Sequence, residues 1–265
     1  MRDYSIHSWF GFELPLEERA KLIKEAGFTS MMLWWSDEHQ HLGTVKVKEE
    51  HPGIIRKLGL RIENVHLPFS CSNGIWLDNL EGDDTMAIYS KCIEDCKRHG
   101  FPVAVMHPNR SIDPPPVNSL GLDRFRQLAE TAIKADVVLA LENVSKWHYT
   151  EKILNNVDSP GLGFCYDSGH DLLYSDKQYE LPVKFSDRLV AVHLHDNMMD
   201  KDEHRLPIEG MINLHALVDA IVESGYQGPL SLEVANPKPG EEPLSYLKRA
   251  YGIATVLEKL RNYEY

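Results

Sequence analysis

Short runs of apolar, β-branched or aromatic residues recur along the chain, at Tyr4 to Trp9, Thr29 to Trp35, Arg61 to Leu67, Pro102 to His107, Val137 to Glu142, Gly161 to Tyr166, Leu189 to His195 and Pro229 to Val234. Their length and composition predict strands. Between them, apolar residues repeat at helical spacing: Leu122, Phe125, Leu128, Ala132 and Ile133 share one face, as do Leu214, Leu217, Val218 and Ile221. Such stretches predict helices that cover a sheet from outside. Gly27, Gly59, Gly100 and Gly225 each stand just before a strand run, where a glycine can take the left-handed conformation that ends a helix. The fifth crossover reads KADVV and lacks that glycine. Residues Glu241 to Tyr263 predict a last outer helix with Leu247, Tyr251 and Ala254 on its apolar stripe.

Strands alternating with helices predict a parallel sheet, and eight of them are enough to close an α/β barrel of the (β/α)8, or TIM, type. The length of 265 residues suits a single such domain over residues 1–265, since these barrels use about 250 residues. Pro114 to Pro116 then belong to a stiff loop at the barrel mouth and not to a domain boundary.

Charge narrows the partners. A formal net charge of -12 disfavours long-range attraction to nucleic acid or to an anionic membrane. The first residues, MRDYSIHSWFGFELP, do not read as a leader, and no run approaches the roughly 18 apolar residues of a membrane helix. A cytoplasmic location is expected. Cys71, Cys92, Cys96 and Cys165 show no CxxC spacing, and Cys92 and Cys96, one helical turn apart, are expected to be ordinary buried thiols.

The chemistry lies at the ends of the strand runs. His66, His107, Glu142, Asp167 with His170, His193 with His195, and Glu233 all stand at or just past such an end, and Asp202 and His204 follow in the next loop. Parallel strands bring their C-terminal ends to one face, so residues scattered in sequence converge there. A carboxylate carried in by VVLAL, LGFCY or LSL costs several kcal/mol to desolvate unless a cation compensates it. A mixed nitrogen and oxygen set of this kind suits Zn²⁺, Mn²⁺ or Fe²⁺. His193 and His195 alternate by two and so project to the same side, toward the barrel interior.

The order LEN, YDSGH, HLHD, DEHRLPIEG and a strand-end LE resembles the xylose isomerase-like TIM-barrel superfamily, which includes sugar isomerases and epimerases and the endonuclease IV enzymes of AP endonuclease family 2. The resemblance runs from His66 to Glu233. It implies a metal held by Glu142, Asp167, a histidine of the seventh strand and Glu233. The endonuclease pattern adds His66, His107, His170, Asp202 and His204, giving one to three ions in all. That pattern points to His193 as the seventh-strand ligand, whereas the epimerase pattern points to His195; the expectation is His193 as ligand and His195 against substrate. Three departures stand against the nuclease: VSKWHY after the Glu-Asn, DLLYSDK after YDSGH, and Ile208, where sugar-enzyme relatives often have glycine.

A sugar isomerase or epimerase is therefore expected. The cation would polarise a carbonyl and its neighbouring hydroxyl, and Glu142 and Glu233 would take and return the proton through an enediolate. His170 could hydrogen-bond the shifting oxygen. Trp9, Phe10, Trp34, Trp35, Phe69, Trp76 and Trp147 are candidates for an aromatic wall, with Trp34 and Trp147 preferred; neighbours in a strand face opposite ways, so only one of Trp34 and Trp35 can line the barrel. Arg205 and Lys238 are the cations nearest the last two loops, with Arg205 expected to contact substrate, and no glycine-rich phosphate cup accompanies them, which favours an unphosphorylated polyol or sugar acid. The alternatives are a metal-dependent phosphodiesterase on abasic DNA and a non-catalytic sugar-binding barrel. The chain could also form a homo-oligomer.

Overall fold

Strand-forming runs and helical stretches alternate in the structure as the pattern predicts. The structure is a computed structural model and describes residues 3–36, 42–44 and 47–263. Strands β1 (Ser5–His7), β2 (Ser30–Trp34), β3 (Arg61–His66), β4 (Val103–Met106), β5 (Val138–Glu142), β6 (Leu162–Asp167) and β7 (Leu189–His193) form one sheet in chain order. Every neighbouring pair is parallel. The crossovers carry α1 (Leu16–Ala26), α2 (His51–Lys57), α3 (Leu80–His99), α4 (Ser119–Ala135), α5 (His148–Asn156), α6 (Ser168–Tyr174) and α7 (Leu181–Lys184). Helices α8 (Leu214–Glu223) and α9 (Pro243–Arg261) complete the outer layer.

The eighth predicted strand, Pro229 to Val234, does not form a regular ladder. Leu232 makes isolated parallel bridges to Ile6 on one side and to Leu194 on the other. The backbone still closes the circle: His7 N–H donates to Leu232 O at 2.8 Å, Leu232 N–H to Ser5 O at 3.0 Å, and Glu233 N–H to Leu194 O at 3.0 Å. A single bridge on each side suffices for a TIM-barrel-like fold, because the helices outside supply the packing. The seventh strand likewise ends at His193, two residues before its predicted limit.

Position in the barrel follows from strand alternation, which sends residues i and i+2 to the same face. Val105, Ala140, Cys165 and Ala191 form a small apolar cluster, and the residues two places further along are His107, Glu142, Asp167 and His193. The candidate ligands thus stand on a dry floor of small side chains. Outside, Phe125, Leu128 and Ala132 of α4 are buried, whereas Ile133 remains 49% exposed; the predicted apolar face is narrower than the spacing implied.

Helix ends show why the glycines are there. Gly27, Gly59, Gly100 and Gly225 all have positive φ, and the glycine missing from the fifth crossover is replaced by Asp136 at φ 59°. Aspartate tolerates the left-handed conformation better than most residues. Cys92 and Cys96 are buried thiols on α3, and burial pushes the Cys92 thiol up to about 12. The last helix packs on the first, and Tyr251 stands against Gly27 and edge-on to Tyr4 and Phe28. A Cβ at Gly27 would lie 2.9 Å from the Tyr251 ring, on a backbone with φ 115°. The variant Gly27→Ala is therefore expected to lose about 1–3 kcal/mol of stability, from strained backbone and overpacking, as read by urea denaturation.

Candidate metal centre

The ends of β3 to β7 and the closing segment each contribute one donor to the same spot. His66 ends β3, His107 follows β4, Glu142 ends β5, Asp167 ends β6 and His193 ends β7, while Glu233 arrives on the closing segment. Glu142, Asp167 and His193 are fully buried, and Glu233 is 9% exposed. His193 Nδ1 lies 2.8 Å from Glu233 Oε2 and 3.3 Å from Glu142 Oε2, so one ring nitrogen joins carboxylates from two distant strands. Glu142 also meets His66 at 3.5 Å, His107 at 3.5 Å and His170 at 3.0 Å.

A second group adjoins the first. His195 Nε2 is 3.0 Å from Asp167 Oδ1, and His170 Nδ1 is 3.4 Å from the same oxygen. Asp202 Oδ2 stands 3.2 Å from His204 Nε2 and 3.3 Å from His170 Nε2. The structure thus draws His193 and His195 into the same cluster, one against Glu142 and Glu233 and the other against Asp167. Close approach of the His195 ring to the YDSGH turn depends on Gly169, where a Cβ would lie 2.0 Å from Cε1 of that ring.

Hydrogen bonds aim the rings. His66 Nδ1 donates to Leu67 O at 2.9 Å and His204 Nδ1 to Glu233 O at 2.8 Å. A carbonyl only accepts, so each Nδ1 carries a proton, and in the neutral ring, as a metal ligand must be, each Nε2 turns a lone pair inward. His66 Nε2 and His107 Nε2 then face each other at 3.2 Å. Both oxygens of Glu142, Asp167 Oδ2 and both nitrogens of His193 and His195 are buried without a hydrogen-bond partner. Buried acceptors pointing at one another without donors are costly, and a cation between them removes the cost. The donor sets His66/His107/Glu142, His66/His193/Glu233, Asp167/His170/His195 and His195/Asp202/His204 each bring three ligand atoms within 4.8 Å of one another. These residues fit a divalent metal, and mixed imidazole and carboxylate donors suit a transition ion.

The loop that supplies Asp202 and His204 is held by a residue the sequence reading passed over. Buried Asp196 accepts from the backbone N–H groups of Asn197 at 2.8 Å, Ile208 at 3.1 Å, Gly210 at 2.9 Å and Ile212 at 3.0 Å. Ile208 has φ 88° and is 59% exposed, a conformation that favours the glycine of the family pattern. His7 was also missed, although it too ends a strand. It is 6% exposed, bonds Trp9 O through Nδ1 at 3.1 Å and keeps Nε2 without a partner.

Two cavities flank the cluster. One, of about 190 Å³, is lined by His7, Trp9, Trp34, Phe69, His66 and Glu233. The other, of about 260 Å³, is lined mainly by polar and charged residues, among them Glu142, His107, His170 and Asp202. Trp34 lines the first and stacks on Phe69 with ring centroids 6.3 Å apart, while Trp35 turns outward and bonds Asp95 through its indole N–H. Trp147 and Arg205 are not brought to either cavity. The Trp147 ring lies under Lys184 at 5.2 Å, and Arg205 is clamped by both oxygens of Glu203 at 2.8 and 2.9 Å. Phe10 and Trp76 are core residues.

Electrostatics of the metal-free cluster follow from its geometry. Burial opposes charge on His170, His193 and His204, but carboxylates outweigh it at all three: Asp167 and Asp202 hold His170 well above the ordinary histidine value, Glu233 and Glu142 do so for His193, and Asp202 raises His204 to about 9. At His107 burial wins and the value falls. The His204 proton stabilises the metal-free fold fully below the ordinary histidine value, and that contribution is lost as pH rises through about 9. A metal must displace these protons. Affinity for Mn²⁺ or Zn²⁺ is therefore expected to rise between pH 6 and 9, by up to about tenfold per pH unit for each proton displaced, with measurable proton release on mixing. Chelator competition at several pH values checks this, and a flat profile would show that the raised histidines do not bind the metal.

Comparison with known proteins agrees with the geometry. An uncharacterized protein of Sinorhizobium fredii is 34% identical over 140 residues, 52% of this chain, and the match spans only 43% of that protein. A protein of Streptomyces coelicolor named as a putative hydroxypyruvate isomerase is 25% identical, with 87% of this chain and 88% of that one covered. Among solved structures, L-ribulose 3-epimerase superposes with a TM-score of 0.78 at 16% identity, covering 99% of this chain and 97% of that one, which is a likeness of fold. Residues 20–262 match the sequence family itself, and with a closed parallel sheet and donors gathered at its C-terminal mouth the chain belongs to the xylose isomerase-like TIM barrel family.

Proposed function

We propose that the chain is one domain that works as a divalent-metal-dependent isomerase or epimerase of a sugar or sugar-like ketose. The observation that carries this is the meeting of Glu142 and Glu233 at His193 Nδ1, with both carboxylates on the wall of the same cavity. Glu142, Asp167, His193 and Glu233 would hold the principal ion, and His66, His107, His170, His195, Asp202 and His204 stand where further ions could bind. When bound, a divalent cation supplies Lewis acidity toward a carbonyl and its neighbouring hydroxyl.

The protein's own residues move the proton. Burial would raise both glutamates, but His107 with its neighbours holds Glu142, and His193 holds Glu233, well below the usual carboxylate range. Both are therefore ionised at neutral pH, as a base must be. Glu233 borders both cavities and takes the proton from the substrate carbon; in isomerisation it delivers that proton to the adjacent carbon, and in epimerisation Glu142 takes a proton from solvent and gives it to the opposite face while Glu233 releases its own to water. His7 is kept neutral, pushed down to about 4 by burial, and its Nε2 can accept from a substrate hydroxyl. Trp9, Trp34 and Phe69 offer ring faces to the C–H surface of a sugar and exclude water. The names of the Streptomyces relative and of the epimerase neighbour support this reading.

Mn²⁺-loaded protein offered a panel of ketoses in D₂O is expected to place deuterium on the carbon beside the carbonyl. Glu233→Gln and Glu142→Gln, both assayed at saturating Mn²⁺ with bound metal measured because each carboxylate is also a ligand, should slow that exchange by about 10²–10⁴-fold. Undiminished exchange in both variants would remove the pair from catalysis.

A second reading, a phosphodiesterase acting on abasic DNA, is favoured by the complete donor sets at His66/His107 and at Asp202/His204, which leave room for more than one ion. The same preparation is expected to leave an abasic duplex intact, since a net charge of -12 repels a polyanion. Chelator-sensitive nicking would reverse the choice between the two.

A further inference from the structure

The polar cavity continues past the donor cluster onto the loop after β4, where Asn109, Arg110 and Ser111 line it. Of these residues only His107, two positions earlier, belongs to the ligand pattern. The loop is held in place: Arg110 N–H donates to Asn73 Oδ1 at 2.7 Å, and Ser145 Oγ donates to Ser111 O at 3.0 Å. The Arg110 guanidinium lies 5.8 Å from the centre of the Phe69 ring, and Phe69 stacks on His107 at 5.1 Å and 21°. A cation–ring contact and a stacked ring pair thus link the exposed Arg110 to the donor cluster. Asn109 is fully buried, and its Oδ1 has no partner.

Charge gives this end of the cavity a direction. Beyond the donor cluster, whose carboxylates are compensated by the metal or by imidazole protons, Arg110 is a cation that lines the same cavity and makes no ion pair among the described residues. Arg205, the cation expected from sequence, is neutralised by Glu203. A substrate with one anionic end is thereby oriented, its charge toward Arg110 and its reacting carbons toward Glu142 and Glu233. A single guanidinium matches the planar, singly charged carboxylate, while a dianionic phosphate usually gathers several donors.

We propose that the polar cavity recognises a 2-hydroxycarboxylate end of its substrate, with Arg110 pairing the carboxylate and the Asn109 amide oxygen accepting from the adjacent hydroxyl. The substrate class is then a sugar acid. This rests on the isomerase reading for the placement of the reacting carbons, but the recognition can be tested without any turnover.

The probes are D-gluconate and D-glucitol, which share a carbon chain, differ in a carboxylate against a hydroxymethyl group, and contain no carbonyl to react. Calorimetric titration of Mn²⁺-loaded protein is expected to show gluconate binding about 10–100-fold tighter than glucitol, the worth of a charge-assisted hydrogen-bonded pair. Arg110→Ala should remove that preference and leave glucitol binding unchanged, with Arg110→Lys keeping part of it. Equal binding of the two probes, or no binding of gluconate, overturns the proposal. A preference that survives in Arg110→Ala also overturns it, because the carboxylate then sits on the metal cluster. Glucitol 6-phosphate binding more tightly than gluconate would replace the carboxylate with a phosphate. None of these outcomes depends on isomerisation, so failure of the enzyme reading and failure of this one are told apart.

Discussion

Everything at the mouth of this barrel depends on one constraint: buried carboxylates and imidazoles cannot be left facing one another without something positive between them. Glu142, Asp167 and His193 have no solvent contact, and the layer beneath them is Val105, Ala140, Cys165 and Ala191. In such surroundings an unpaired charge costs several kcal/mol, and removing one partner of a pair exposes the whole of that cost. Without metal the cluster meets the requirement with protons on His170, His193 and His204. With metal, the ion takes their place and the imidazoles become neutral ligands.

Closure of the barrel and assembly of the cluster are the same event. Glu233 reaches His193 because Leu232 pairs with both Ile6 and Leu194, although the segment around it makes no regular strand. The loop after β7 is tied down just as locally, by four backbone N–H groups on Asp196 and by the antiparallel bridge between Asp196 and Arg205. Ala235 N–H then donates to His204 O at 2.9 Å, fastening that loop to the closing segment. Rigid support of this kind is what a site needs if its donors are to be in place before a ligand arrives.

The two cavities divide the remaining work. Trp9, Trp34 and Phe69 make one side apolar and flat, and the loop from Asn109 to Ser111 makes the other polar. Phe69 belongs to both, with stacked contacts to Trp34 and to His107. A molecule lying across the cluster therefore meets ring faces at one end and hydrogen-bonding groups at the other, with Glu233 reachable from either side.

Hydrophobic periodicity by itself determined the alternation of strands and helices, the glycine-marked helix ends and the identity of the strand-end donors, because these depend on local conformation and on where a buried run stops. Even the missing fifth glycine was a local matter, met by Asp136 in the left-handed conformation. His7 lay inside the run from Tyr4 to Trp9, and only the structure, which ends β1 there, puts it at a strand end. Tertiary structure alone decided the rest. Which carboxylate meets which imidazole depends on barrel closure across more than 200 residues, from His7 to Leu232, and no window of sequence contains both. Arg205 and Trp147 look like pocket residues by position, yet Glu203 and Lys184 hold them elsewhere, while Arg110 and Asn109 face the cavity without a sequence mark. Side chains on loops go where the nearest complementary charge or ring face lies, and that neighbour is fixed only when distant strands have come together.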